Sequence, residues 1–139
     1  VISNEDTLDV PVEKAVGRLI ELIKINQHHK KPLAIISGGE PTIKVRCPGK
    51  GGRNQHLALL FGRKAEDLQD YTFLSCGTDG IDGNTDAAGA FLSSPVQSRD
   101  IDDYLNRFRS YDYFRDHGGH IKTGPTGTNV MDIQIILMN

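Results

Sequence analysis

Lys31-Pro32-Leu33-Ala34-Ile35-Ile36-Ser37-Gly38-Gly39-Glu40-Pro41 is the stretch that decides the fold. Leu33-Ala34-Ile35-Ile36 is apolar without alternation, the mark of a buried strand in an α/β sheet. Ser37-Gly38-Gly39-Glu40-Pro41 breaks the run and predicts a turn at the end of that strand, where open α/β sheets place ligands. Upstream, Val12, Ala15, Val16, Leu19, Ile20, Leu22 and Ile23 recur at helical spacing. They predict a helix over residues 11–28, with Asp9 as N-cap and Pro11 in the first turn. Its end, Gln27-His28-His29-Lys30-Lys31, reads as a solvated terminus whose cations suit the negative pole of the helix dipole.

Downstream, Thr42-Ile43-Lys44-Val45-Arg46 alternates and predicts a second strand, joined to the first by the glycine turn. Leu57, Ala58, Leu60 and Phe61 predict a helix running to Lys64, and Thr72-Phe73-Leu74-Ser75-Cys76 another buried strand. A strand over residues 87–92, helices over 95–108 and 111–116, and a closing strand through Ile133, Ile135, Ile136 and Leu137 complete the chain. There is no repeat, linker or low-complexity segment. Residues 1–139 therefore read as one α/β domain, layered α/β/α with a mixed sheet.

The 139 residues suit a single domain with a real core. A formal net charge of -2 gives no field for nucleic acid or an anionic membrane. No run of about 18 apolar residues suggests a membrane span, and no signal peptide opens the sequence. Two cysteines, Cys47 and Cys76, make no metal or disulfide framework. The expected location is cytoplasmic. The first residue is Val1, so the sequence reads as a piece of a longer chain or a processed product. An upstream targeting segment would make the location mitochondrial.

Glycine is the unusual count, at 15, and most of it lies in four segments that could carry chemistry. The first is Ser37-Gly38-Gly39-Glu40, where the backbone can approach a ligand and Glu40 can orient a polar group; a plain turn reads the same. The second is Gly49-Lys50-Gly51-Gly52-Arg53-Asn54-Gln55, a strand-to-helix loop whose free N–H groups, Lys50 and Arg53 suit an anion. Arg53 can grip a phosphate or carboxylate with two bonds in one plane. The pattern approaches the dinucleotide fingerprint G-x-G-x-x-G but has Asn54 at the third glycine, and it is no Walker A loop.

The third segment, residues 77–89, places Asp79, Asp82 and Asp86 within eight positions. Such a cluster is costly unless solvated, paired or metal-bound, and oxygen-rich loops suit Mg²⁺. Asp79 and Asp86 capping backbone N–H groups is the other reading. The fourth, Thr123-Gly124-Pro125-Thr126-Gly127-Thr128-Asn129, is a neutral hydroxyl cradle or a tight crossover. A basic, an acidic and a hydroxyl loop, each beside a strand, together suit phosphoryl transfer. No Ser/His/Asp or Cys/His grouping stands out, and His56, His117 and His120 have no ligand spacing.

In this order the segments resemble the C-terminal domain of the MOFRL-type glycerate kinases. The matching residues are Ser37-Gly38-Gly39-Glu40, Gly51-Gly52-Arg53-Asn54-Gln55, the run over residues 77–83, Thr85-Asp86-Ala87-Ala88-Gly89 and Thr123-Gly124-Pro125-Thr126-Gly127-Thr128-Asn129-Val130. The resemblance covers residues 12–138. It implies phosphorylation of D-glycerate by ATP with Mg²⁺, in a cleft against the enzyme's own N-terminal, Rossmann-like domain, which this sequence lacks. It further implies that Arg53, Asp79 and Asp82 serve catalysis. By the same resemblance Thr126, Thr128 and Asn129 lie near the cleft; with Ser37, Gly38, Gly39, Glu40, Lys50, Gly52 and Asn54 from the loop readings they are the candidate contacts for substrate or phosphate, and the acidic loop's Asp79, Asp82 and Asp86 are the candidate metal ligands. Self-association into a homodimer is left open. Three positions depart from the pattern: His56, where an acid is usual; Cys76, where a small residue is usual; and Asn84, where proline is usual. Rival readings are an NAD(P)H-dependent hydroxypyruvate reductase, a label some members carry, and a non-catalytic binding or oligomerisation module.

Overall fold

The apolar runs become the central strands of a six-stranded mixed sheet. A computed structural model describes residues 1–96 and 99–139. Its elements, in chain order, are β1 (Ile2–Ser3), α1 (Val12–Asn26), β2 (Leu33–Gly39), α2 (Arg53–Lys64), β3 (Tyr71–Gly77), β4 (Gly89–Ser93), α3 (Ile101–Asn106), α4 (Ser110–His117), β5 (His120–Ile121) and β6 (Asp132–Met138). The strand order is β1-β2-β6-β3-β4-β5. β1 runs parallel to β2, and every other neighbouring pair is antiparallel.

This topology creates the functional end of the molecule. β6 lies between β2 and β3 and runs opposite to both, so β2 and β3 point the same way. Their carboxyl ends meet the start of β6 in one row, Gly39–Asp132–Gly77. Two residues further in, the row is Ser37–Gln134–Ser75, polar and buried. Beyond it the same face turns apolar through Ile35, Ile136 and Phe73.

The helices cover that face. Val12, Ala15, Val16, Leu19 and Ile23 of α1 and Leu57, Ala58, Leu59 and Phe61 of α2 join one core with Leu33, Ile35, Tyr71, Phe73, Ile136 and Met138 of the sheet. Phe61 stacks on Phe73 at 4.1 Å and meets Tyr71 edge-on at 5.4 Å. Each buried Phe stabilises the fold by roughly 2 kcal/mol. Ile101 and Leu105 of α3 and Tyr113 and Phe114 of α4 extend the same core.

The α/β class and the mixed sheet are those the sequence predicts. All four helices feed one core, however, so the described residues make two layers, helices on sheet. The other sheet face carries Ile36, Leu74, Ile133 and Ile135 half-buried, with Leu137 44% and Phe91 43% exposed.

Four local expectations are corrected. Residues 42–46 are no strand; only an isolated bridge pairs Thr42 with Pro11. Both edges of β2 are already taken, by β1 and β6, so no hairpin partner can add there. The strand also runs through Ser37-Gly38-Gly39 instead of breaking before it. Asp9 does not cap α1, whose N-cap is Pro11; its Oδ1 accepts the Glu40 N–H at 2.7 Å and braces the exit of β2. That donor holds the Asp9 carboxyl below the ordinary Asp value. The helix expected over 95–108 is short, Ile101–Asn106, and the chain turns at Phe108 with φ +53°. The part of that expectation on residues 97 and 98 lies outside the described residues.

Candidate active site

α2 begins four residues earlier than its apolar period suggests, and a distant carboxylate explains why. Gly52 is its N-cap and offers no side chain. Asp82 takes over that role. Its Oδ1 accepts the Asn54 backbone N–H at 3.0 Å and its Oδ2 accepts that of Gln55 at 2.9 Å. The side-chain amides of Asn54 and Gln55 donate to the same two oxygens at 3.3 and 2.9 Å. Four donors on one buried carboxylate satisfy N–H groups that a helix start leaves orphaned. A Cβ on Gly52 would occupy the space of the Asp82 carboxylate, so glycine is required there. Burial pushes the Asp82 carboxyl above the ordinary Asp value, and the four donors work against that rise.

With its start fixed, α2 presents Arg53 to the row at the sheet's end. Arg53 Nε donates to Asp132 Oδ2 at 2.6 Å and Nη2 to Asp132 Oδ1 at 3.0 Å, a two-bond clamp in one plane. Nη2 also lies 3.4 Å from Glu40 Oε1. Asp132 is 3% exposed and Glu40 45% exposed, so one acid is fixed and the other is free to leave. Asp132 raises the Arg53 pKa above its ordinary value. Arg53 Nη1 makes no hydrogen bond with the described residues.

The acidic and hydroxyl loops are stitched together beside it. The Thr126 N–H donates to the Asp79 carbonyl at 3.0 Å, and the Thr126 hydroxyl to the Thr78 carbonyl at 2.5 Å. Thr78 Oγ1 donates to the Met131 carbonyl at 2.7 Å and accepts the Val130 N–H at 2.9 Å. Gly80, at φ +85°, passes so close to the Gly124 carbonyl that a Cβ would overlap it. Loops about fifty residues apart in sequence thus close on one end of the sheet.

The expected site residues divide accordingly. Arg53, Glu40, Asp79 and Thr126 come to this rim. Gly38 and Gly39 are the last residues of β2 beneath it. Ser37 and Asn54 are buried under it, and the Ser75 hydroxyl donates to Asn54 Oδ1 at 2.6 Å. Thr128 and Asn129 bond within their own loop: the Thr128 N–H donates to Thr126 Oγ1 at 3.4 Å, and Asn129 Oδ1 accepts the Met131 N–H at 3.2 Å. Lys50 turns aside, with Nζ 4.0 Å above the Tyr111 ring.

The three aspartates grouped for Mg²⁺ are not grouped by the fold. Asp82 is spent on α2, and Asp79 Oδ1 accepts the Ile81 N–H at 3.0 Å. Asp86 pairs with Lys122 Nζ at 2.9 Å and accepts the Tyr111 hydroxyl at 2.8 Å. Among the described residues no three His, Cys, Asp or Glu side chains converge as a cation requires. These residues do not fit the metal, because each carboxylate has a different protein partner.

Lys122 and the Tyr111 hydroxyl hold Asp86 down to about 2. A depressed carboxyl favours the fold above its unfolded value of 3.8, and that contribution disappears as pH falls through 2. Lys122→Met is expected to move the Asp86 midpoint toward 3.8, read from its carboxyl carbon shift in an NMR titration. An unmoved midpoint would remove the pairing.

A cavity of about 460 Å³ opens beside Arg53 and Asp79, walled by Ile43, Val45, Ile81 and Phe108. His56 lines it too and stacks on Phe108 at 5.3 Å and 13°. Burial drives the His56 pKa from 6.5 to about 4. The folded state thus prefers neutral imidazole, and its advantage is complete above pH 6.5 and lost as pH falls toward 4. Relative to a His56→Phe variant, the protein is expected to lose roughly 3 kcal/mol across that window, measured by urea unfolding. Parallel pH curves for the two proteins would refute it.

Sequence reasoning missed Asp132 and the apolar wall. Asp132 had one signal: an acid at the entry of an apolar strand, just after the hydroxyl loop. The wall had none, because Ile43 and Val45 read as one face of a strand.

Fold and rim define an α/β domain whose strand-end loops converge on a clamped arginine. Residues 33–132 match the MOFRL family, and the chain belongs to that family. An uncharacterised protein of Caenorhabditis elegans is 47% identical over 119 residues, covering 78% of this chain and 26% of that protein. A glycerate 2-kinase of Picrophilus torridus is 44% identical over 114 residues, covering 82% and 28%. The crystal structure of a glycerate kinase from Thermotoga maritima superposes with a TM-score of 0.84 at 37% identity, over 99% of this chain and 35% of that one. The chain spans between 26% and 35% of the length of these relatives.

Proposed function

We propose that this chain is the C-terminal domain of a two-domain glycerate kinase, which transfers a phosphoryl group from ATP to D-glycerate in a cleft between the domains. The observation that carries the reading is Arg53: clamped by Asp132, it stands where three loops meet, with Glu40 as a displaceable second partner. A carboxylate or phosphate of the substrate takes the place of Glu40 while Asp132 keeps the guanidinium plane fixed. Thr126 ties the hydroxyl loop to the Asp79 loop and so keeps the rim rigid. ATP supplies the phosphoryl group.

Charge explains why the cleft needs a second wall. Asp132, Glu40 and Asp79 outnumber Arg53, so this rim attracts no anion by net charge. Phosphoryl transfer demands concentrated positive charge, and the rest of the longer protein must provide it. The apolar sheet face with exposed Leu137 and Phe91 supports a further covering layer from the same source.

Hydroxypyruvate reduction is the weaker reading. The near-fingerprint over residues 49–54 follows an unpaired segment, not a strand, and lacks the βαβ context a nicotinamide site needs. The decisive assay is ATP-dependent phosphorylation of D-glycerate by the full-length protein, beside NADH oxidation with hydroxypyruvate. Nicotinamide turnover without phosphorylation would reverse the assignment. Loss of assembly with unchanged kinetics in Arg53→Ala would favour the non-catalytic module.

A further inference from the structure

We propose that the cavity beside the start of α2 is a purine-nucleoside pocket, and that the three-carbon acid binds outside it, at the Arg53 rim. This rests on the kinase reading only in taking a nucleotide as one substrate. About 460 Å³ lies within the range of sites for whole small molecules, roughly 300–1,000 Å³. Every carbon of glycerate bears oxygen. Against Ile43, Val45, Ile81 and Phe108 it would lose water hydrogen bonds that only the polar part of the lining, such as Arg53 and Asp79, could replace. A purine is the opposite case, with flat apolar faces to bury.

The wall is shaped for a flat ring. Phe108 and His56 lie nearly parallel, 13° apart, so one side of the cavity is already a stack that a base extends. Val45 is 58% and Ile81 49% exposed, and both line this one cavity. A lone exposed aliphatic residue is ordinary, but two on one cavity mark a surface that something apolar covers. Asp79 lines the same cavity; its Oδ1 takes the Ile81 N–H, and its other oxygen, unbonded to the described residues, can accept from ribose hydroxyls. Arg53 belongs to both cavity and rim, so a nucleotide whose base lies inside brings its phosphates to the place where the acid binds.

Adenosine, which carries no phosphate and so ignores the charge of Arg53, is the probe. In ¹⁵N-resolved NMR titrations of the protein it is expected to shift the amides of Ile43, Val45, Gly51 and Ile81 saturably. Val45→Asn and Ile81→Asn, at exposed positions that tolerate polarity, are expected to weaken adenosine about tenfold. D-glycerate affinity should stay as it was. Unmoved amides at millimolar adenosine overturn the proposal. So does a glycerate response at the same amides that the two variants abolish, and this result would leave the kinase reading intact. Adenosine binding in the pocket by a protein that phosphorylates no glycerate would sink that reading and keep the nucleoside site.

Discussion

On the proposed kinase function, replacement of Arg53 by alanine in the full-length protein is expected to lower kcat/KM for glycerate phosphorylation by about 10²–10³ and to destabilise the domain by about 3 kcal/mol. The two losses have separate causes. On that function, catalysis loses a donor whose plane is pre-set by two bonds to Asp132. Stability is lost because Asp132, 3% exposed, stays buried without the two donors that satisfied it. Removing one member of a buried pair costs about 3–5 kcal/mol, and the half-exposed guanidinium puts this pair at the low end. Arg53→Lys should restore part of the stability but little of the rate, since an ammonium cannot match a carboxylate in two parallel bonds. Asp132→Asn leaves a cation with access to water and should cost less than Arg53→Ala. Urea unfolding and steady-state kinetics on the three variants check this, and a double-mutant cycle gives the coupling. An Arg53→Ala protein of native stability and near-native kcat/KM would remove Arg53 from the mechanism.

The second large effect is expected at Asp82, through the fold alone. Asp82→Ala leaves the backbone N–H groups of Asn54 and Gln55 and the Asn54 side-chain amide buried without an acceptor, while the Gln55 amide keeps Thr85 Oγ1 at 3.0 Å. Each orphaned buried donor costs about 1–3 kcal/mol, and partial relaxation brings the expected total to about 4 kcal/mol. The melting temperature should fall by about 10 °C or more. Asp82→Asn should be nearly as harmful, because its amide would face the donors of Asn54 and Gln55 with donors of its own. Hydrogen exchange localises the effect: protection should vanish first at Asn54 and Gln55. The same loosening frees Arg53 from its place, so activity falls along with stability. A thermally native Asp82→Ala protein with impaired turnover would instead make Asp82 a catalytic group.

Asp79, Asp82 and Asp86 show how far sequence reasoning carries. Their spacing announces a loop that needs compensation for its charge, and the need is real. The compensation differs for each, since one turns back on its own loop, one caps α2 and one meets Lys122. Nothing in the spacing distinguishes these outcomes, because the partners of Asp82 and Asp86 lie 28 and 36 residues away. Residues 42–46 teach the same lesson. Their alternation suits a strand, but pairing requires a free edge, and β1 and β6 had already taken both edges of β2.

The sequence by itself determined what depends on near neighbours: the helical stripes of α1 and α2, the apolar runs of β2, β3 and β6, and the placing of glycine-rich segments at strand ends. Local periodicity encodes element type because side chains a few positions apart share a face whatever the rest of the chain does. Only the tertiary structure decided which charges meet. Arg53 and Asp132 are 79 residues apart. They touch because β6 enters the sheet between β2 and β3 in a register that sets Asp132 level with Gly39 and Gly77.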